Sequence, residues 1–396
     1  MLRLLLACLM WLGAATVLAA PPAATAQAPA PRIGVVTMQP GEIFFERFGH
    51  NAVLVQDPAS GTATSYNFGF FDPGESDFIA RFVRGDMRYR LVALPLEDDL
   101  AYYQQVGRGV ALQWLALDDS EARALAAALA QNARPENAHY RYDYFLDNCS
   151  TRVRDAIDRA LGGELRRQSE SRSHGSTYRS EALRLASPAP WMWLGFDIGL
   201  GPDADRPLSV WAESFVPMRL ADALRETRAA DRTPVVRAAQ PLLPHTIAPE
   251  PQDAPIRWWP WALAGLAIGA GLLALGRRKP RVLAAVVLPL WLLCGVVGAL
   301  LLFIWFGTDH RIGWQNHNLL LFNPLCWLLL PGAWTLLRGR TPRRWFGITL
   351  VAVVACAVIA LFANWLPLLP QRNAHWIALL LPIHAALAWT WGRRRP

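Results

Sequence analysis

The sequence predicts an exported globular domain of mixed α and β elements followed by an all-α membrane bundle of about five helices. Three observations carry this expectation. An apolar N-terminal run ends in small residues, the composition changes abruptly at Trp258, and basic residues beyond that point gather in alternate loops.

Met1-Leu2-Arg3 opens an almost uninterrupted apolar stretch from Leu4 to Ala20, with Pro21 next. A short charged start, an apolar core and a small-residue end define a secretory signal, and cleavage is expected after Ala20 or Ala26. Residues 1–26 are therefore read as a signal peptide and 27–232 as the exported domain. Leu5-Leu6-Ala7-Cys8 resembles a lipidation box, but the apolar run before Cys8 is too short for such a signal.

Residues 233–257 are rich in proline and read as a linker. From 258 to 396 five apolar segments follow, near 258–275, 282–306, 319–337, 345–366 and 376–391. Each is close to the roughly 20 residues that cross a bilayer. Arg277, Arg278, Lys279 and Arg281 occupy one loop, Arg338, Arg340, Arg343 and Arg344 another, and Arg393 to Arg395 the end. These fall on one side of the membrane, which the positive-inside rule makes cytoplasmic. The C-terminus is then expected in the cytoplasm and the first domain outside the cytoplasmic (inner) membrane.

The formal charge of +8 resides in the membrane half. Residues 257–396 carry 14 Arg or Lys against Asp309 alone, whereas 21–256 carry 24 Arg against 30 Asp or Glu. The exported part is thus net acidic, which argues against nucleic acid as a partner.

Cys149 is the lone thiol of the exported domain, so no disulfide forms within it. An aromatic alternating stretch, Tyr140-Arg141-Tyr142-Asp143-Tyr144, leads into Asp147-Asn148-Cys149. Val153, Ile157, Ala160 and Leu161 follow at helical spacing, and Gly162-Gly163 ends the segment. Asp147 or Asn148 is a natural N-cap, placing Cys149 in the first turn, where unpaired N–H groups and the positive end of the dipole favour a thiolate. A polar cap around an inert core cysteine is the alternative.

A nucleophilic thiol needs a base, and the exported part offers four histidines. His50 ranks first, in Phe48-Gly49-His50-Asn51 at the start of an apolar β-type run where Gly49 permits close approach. His139, His174 and His245 follow in that order.

These motifs, with Tyr66-Asn67-Phe68-Gly69, Arg84-Gly85-Asp86, Asp147-Asn148-Cys149-Ser150-Thr151-Arg152, Thr177-Tyr178-Arg179, Leu194-Gly195-Phe196-Asp197 and Asn316-His317-Asn318, resemble the Lnb N-terminal periplasmic domain family. Its namesake members are lipoprotein N-acyltransferases. The resemblance implies an α+β permuted papain-like fold, similar to lecithin:retinol acyltransferase, in which the His precedes a helix-opening Cys. It implies Cys149 as nucleophile, His50 as base and a third polar group to orient the imidazole, with Asn67 the first choice and Tyr66 the second. It implies membrane lipid and a lipoprotein substrate as partners, and with no phosphate loop or dinucleotide fingerprint in the sequence no cofactor is expected.

Further substrate-binding candidates are Tyr66, Asp147, Asn148, Arg152 and Arg179. Asp147 and Arg152 are open to two readings, a polar-headgroup site or a helix cap with an ion pair to Asp155. The loop 307–318 adds His310, Asn316 and Asn318, either completing the site or serving as an interfacial loop anchored by Trp314. No Cys, His and carboxylate spacing suggests a metal. Two other functions fit the same residues: a papain-like hydrolase of cell-wall peptide or lipid, and a non-catalytic membrane receptor. Separation of His50 and Cys149 within roughly 3 to 4 Å favours the enzymes.

Overall fold

The computed structural model describes residues 28–366 and 371–392. The expected signal peptide, 1–26, lies outside them, as do the basic residues Arg393 to Arg395.

The exported domain is built on seven strands: β1 (Arg32–Met38), β2 (His50–Gln56), β3 (Ala63–Phe70), β4 (Arg88–Pro95), β5 (Val110–Leu115), β6 (His139–Arg141) and β7 (Val236–Leu243). They pair antiparallel in the order β6-β4-β3-β2-β1-β5-β7. In β1, Ile33-Gly34-Val35-Val36-Thr37-Met38 is apolar almost throughout because both faces of the sheet are covered. Alternate side chains divide between two cores. Ile33 and Val35 join Val53, Tyr66, Val153 and Ile157. Val36 and Met38 join Ala52, Leu54, Tyr103 and Leu112.

The first core is closed by the helices Asp119–Asn132 and Cys149–Ala160, the second by the helix Leu96–Gln105. A capping box starts the Asp119–Asn132 helix. The Asp118 carboxylate accepts from the N–H groups of Ser120 and Glu121, and Glu121 reaches back to the Asp118 N–H.

The segment expected as a linker departs from that reading. Its first part is β7, which pairs with β5 at the edge of the sheet. Pro241 is compatible with an edge strand, where a missing N–H costs no inner ladder bond. Only the stretch after β7 is free of regular structure as far as the membrane.

The membrane helices are Trp259–Arg278, Pro280–Gly307, Cys326–Leu337, Arg344–Asn364 and Ala374–Gly392. Four of them are long and apolar enough to span a bilayer. The third, expected over 319–337, is broken. A 3-10 turn at His317–Leu320 is followed by the helix Cys326–Leu337, because Pro324 lacks an N–H and Asn323 accepts from the Leu325 N–H. Its 12 residues rise about 18 Å, short of the roughly 30 Å hydrocarbon core. The first and last helices approach closely at Gly265, where a Cβ would lie 2.6 Å from the carbonyl oxygens of Ala378 and Leu379. Small residues serve this purpose in lipid, where backbone proximity replaces the hydrophobic drive.

A buried polar junction joins the halves. Asp197, on the helix Pro190–Gly199, accepts from His375 Nε2 at 2.7 Å and Trp376 Nε1 at 2.8 Å. Asn316 donates to the carbonyls of Ile198 and Leu200, and Asn318 to that of Ile198. Gln371 and Asn373 donate in turn to the side-chain oxygens of Asn316 and Asn318.

Candidate active site

His50 begins β2 directly after Gly49, which has φ +79°. A Cβ there would lie 2.9 Å from Met218 Sδ and 3.0 Å from the Met38 carbonyl, so the turn delivering the imidazole requires glycine. Cys149 opens its helix with Asn148 as N-cap. The Asn148 side chain accepts from the Thr151 N–H at 2.9 Å and donates to the carbonyls of Tyr144 and Phe215. Asn148 is therefore buried in a capping role, and its amide is committed to the protein.

The Cys149 thiol and the His50 imidazole adjoin, and each shifts the other through charge and hydrogen bonding. Burial pushes the Cys149 thiol up. The adjacent imidazole charge, its hydrogen bond and the N–H groups of Asn51 and Ser150 outweigh burial and leave the thiol below its usual value. Burial lowers His50 likewise, but the Cys149 charge and hydrogen bond prevail and raise it. Both shifts run toward a thiolate beside an imidazolium, the pairing on which thiol reactivity depends.

His50 Nε2 lies 3.0 Å from Asn67 Oδ1, which leaves Nδ1 as the ring nitrogen for the thiol. The Asn67 Nδ2 donates to Asp99 Oδ2 at 2.8 Å and to Ser65 Oγ at 3.0 Å. Because carboxylate oxygens only accept, Asp99 fixes which end of the amide faces the histidine. Tyr66, one residue earlier, turns to the opposite face and packs in the first core, so Asn67 reaches the imidazole and Tyr66 does not.

The elements that carry the thiol and the imidazole are tied to each other as well. Ser150 Oγ donates to Asn51 Oδ1 at 2.9 Å, and Asn51 Nδ2 donates to Thr37 Oγ1 at 2.9 Å. This buried chain links the residue after the histidine to the residue after the cysteine. It fixes their separation without involving the reacting atoms.

Gly69, at φ +92°, faces the thiol. A Cβ there would stand 3.7 Å from Cys149 Cβ, 3.4 Å from Tyr142 Cε2 and 3.8 Å from the Tyr140 hydroxyl. That hydroxyl is buried without a hydrogen-bond partner among the described residues. Burial first, then the Cys149 charge, raises both phenols well above the usual tyrosine value, so both stay protonated.

The remaining expected residues are arranged otherwise. Asp147 and Arg152 form a half-exposed ion pair, with Arg152 Nη2 2.6 Å from Asp147 Oδ2 and its guanidinium 4.1 Å from the Tyr140 ring centre. Asp155 pairs with Arg154 instead. Arg179 is buried, holding Asp205 at 2.9 Å and the carbonyls of Asp197 and Leu200. Arg179, Asn316 and Asn318, expected to bind substrate, thus spend their hydrogen bonds inside the protein, a correction that follows from their burial at the junction. His310 Nε2 lies 2.9 Å from the Phe82 carbonyl, fastening the loop after the second membrane helix to the exported domain. His139 is exposed on β6, His174 bonds Glu213, and His245 accepts from the Gly109 N–H. A cavity of about 270 Å³ lined by His174, Glu213, Arg219, Asp222, Arg225 and Glu226 contains none of the thiol-site residues.

Sequence reasoning missed Asp99, Tyr140 and Tyr142. Asp99 had a signal, since it stands one helical turn before Tyr103 on the inward face of the helix Leu96–Gln105.

Fold and site together define a membrane-anchored α+β protein with a buried cysteine–histidine–asparagine constellation. The family described as Lnb N-terminal periplasmic domain matches residues 20–182, and that described as Lnb transmembrane domain matches residues 255–391. The chain belongs to the Lnb family and is an inner-membrane protein with a periplasmic domain. No curated protein and no solved structure matches it.

Proposed function

We propose that this protein is a cysteine acyltransferase that carries a fatty acyl group as a thioester on Cys149 and delivers it to an amine, the N-terminal amine of a bacterial lipoprotein. The observation that carries the reading is the adjoining Cys149–His50 pair, with Asn67 and Asp99 aligned behind it. Histidine on a strand followed by a helix-opening cysteine also agrees with the permuted papain-like order. The basic loops favour a cytoplasmic C-terminus.

In the first half-reaction the thiolate attacks an ester carbonyl, a C–S bond forms, and the C–O bond breaks. The departing alcohol takes the proton from the His50 imidazolium. In the second, an amine attacks the thioester, His50 takes the amine proton, and the thiolate leaves. Asn67 holds the ring in line throughout. Splitting the transfer in this way replaces one difficult displacement by two easier ones.

The test is mass spectrometry of lipoprotein N-termini from cells lacking other N-acylation, expressing this chain or its Cys149→Ala variant. An N-acylated lyso-form that requires the thiol supports the reading. Diacyl lipoproteins with free amines in both strains would exclude lipoprotein N-acylation and favour a hydrolase.

A further inference from the structure

The thiol site is connected to the bilayer surface by an unbroken series of aromatic rings. The Asp309 N–H donates to the Arg84 carbonyl at 2.7 Å, two residues past the end of the membrane helix Pro280–Gly307. The helix Phe78–Arg84 of the exported domain is therefore pinned to the outer end of that membrane helix. It leaves Ile79 74% and Val83 42% exposed, one turn apart on the same face. Its other face begins the series. Phe78 stacks on Phe71 at 5.5 Å, Phe71 on Tyr89 at 4.9 Å, and Tyr89 meets Tyr142 at 4.4 Å. Tyr142 lies 6.3 Å from Tyr140, whose buried hydroxyl lacks a partner beside the thiol.

An exposed apolar face at the water–lipid boundary fits acyl chains, and a buried donor without an acceptor fits a carbonyl oxygen. Cys149, the Tyr140 hydroxyl and the Tyr142 ring converge around Gly69, which adds no side chain of its own there.

We infer that Ile79 and Val83 form the binding face for a long-chain acyl ester rising from the outer leaflet, that the packed rings from Phe78 to Tyr142 hold this face in register with the thiol site, and that the Tyr140 hydroxyl donates to the ester carbonyl oxygen. The inference rests on the acyl-thioester reading above and adds where the chain lies and which group meets the oxyanion. As the thiolate adds to the carbonyl, negative charge develops on that oxygen, and a donor already in place stabilises it without reorganising.

The test uses the full chain in phosphatidylglycerol vesicles and reads Cys149 by intact mass. Three reagents are compared: an S-dipalmitoylglyceryl-cysteine peptide with its amine acetylated, p-nitrophenyl acetate, and iodoacetamide, whose displacement creates no oxyanion. The Ile79→Asp variant is expected to lower the ratio of palmitoyl to acetyl transfer roughly tenfold or more. Tyr140→Phe is expected to slow both acyl transfers roughly a hundredfold while alkylation proceeds at the rate of the unaltered protein. An unchanged palmitoyl-to-acetyl ratio in Ile79→Asp overturns the binding face. Equal slowing of acylation and alkylation in Tyr140→Phe, or slowing of neither, overturns the oxyanion role. Failure of the unaltered protein to accept either acyl group, with alkylation intact, would instead bring down the acyl-thioester reading itself.

Discussion

At the scale of single residues, the site is governed by a thiol and an imidazole that shift each other against the effect of burial. The His50 imidazolium lowers the Cys149 thiol, so Cys149 alkylation by iodoacetamide is expected to persist to lower pH than the usual thiol value of about 8.5 allows. The sign follows from the pairing: a lowered thiol value keeps thiolate present as pH falls, until the pair takes up a proton. His50→Ala removes the compensating charge and leaves burial in control, so the alkylation midpoint should move upward. Equal midpoints in the two proteins would refute the ion pair. Asp99→Asn replaces an acceptor-only partner by an amide that can present either oxygen or NH2 to Asn67, so the Asn67 orientation is no longer dictated and acyl transfer should slow about tenfold. Single-turnover acylation of Cys149 measures it. Cys149 and His50 could be singled out from short motifs with local logic, whereas Asn67 entered only as the first choice for the third group that the family resemblance implies. Asp99 contacts Asn67 across 32 residues, and no local pattern encodes that distance.

At the scale of elements, positions are set by turns and caps. Gly49 is needed for backbone and space alike, and Gly49→Ala should destabilise the exported domain by about 1–3 kcal/mol, seen as a lower Tm. Unchanged melting would mean that the turn relaxes freely. The helix opened by Cys149 was legible from its cap and its apolar spacing. Strand β7 was hidden by prolines, and the break in the third membrane helix was masked by apolar residues on both sides of Asn323-Pro324. Hydropathy sees composition, whereas the chain obeys hydrogen bonding, and the two part company where a proline interrupts an otherwise apolar run.

For the whole molecule, the decisive feature is the polar junction. Asp197→Ala leaves the His375 and Trp376 donors without their acceptor, at about 1–3 kcal/mol for each unsatisfied group. The exported domain should then loosen from the bundle, and trypsin should cut faster near Arg257 while iodoacetamide still modifies Cys149. Cleavage at the original rate would show that the remaining amide contacts suffice. The two-part architecture was legible from composition alone. The junction was not, because Asn316, Asn318 and Arg179 look the same in sequence whether they face a ligand or each other.

The same junction sets an order of events in biosynthesis. Asp197 and His375 are separated by 178 residues, which a ribosome adding about 5–20 residues per second makes in roughly ten to forty seconds. The exported domain emerges and folds during that interval with the Asp197 carboxylate facing only Arg179, and its hydrogen-bond donors His375 and Trp376 arrive only with the membrane helix Ala374–Gly392. A nascent or truncated chain is therefore chemically marked as incomplete, by an acidic group awaiting its donors at the membrane surface, until its last span has been inserted.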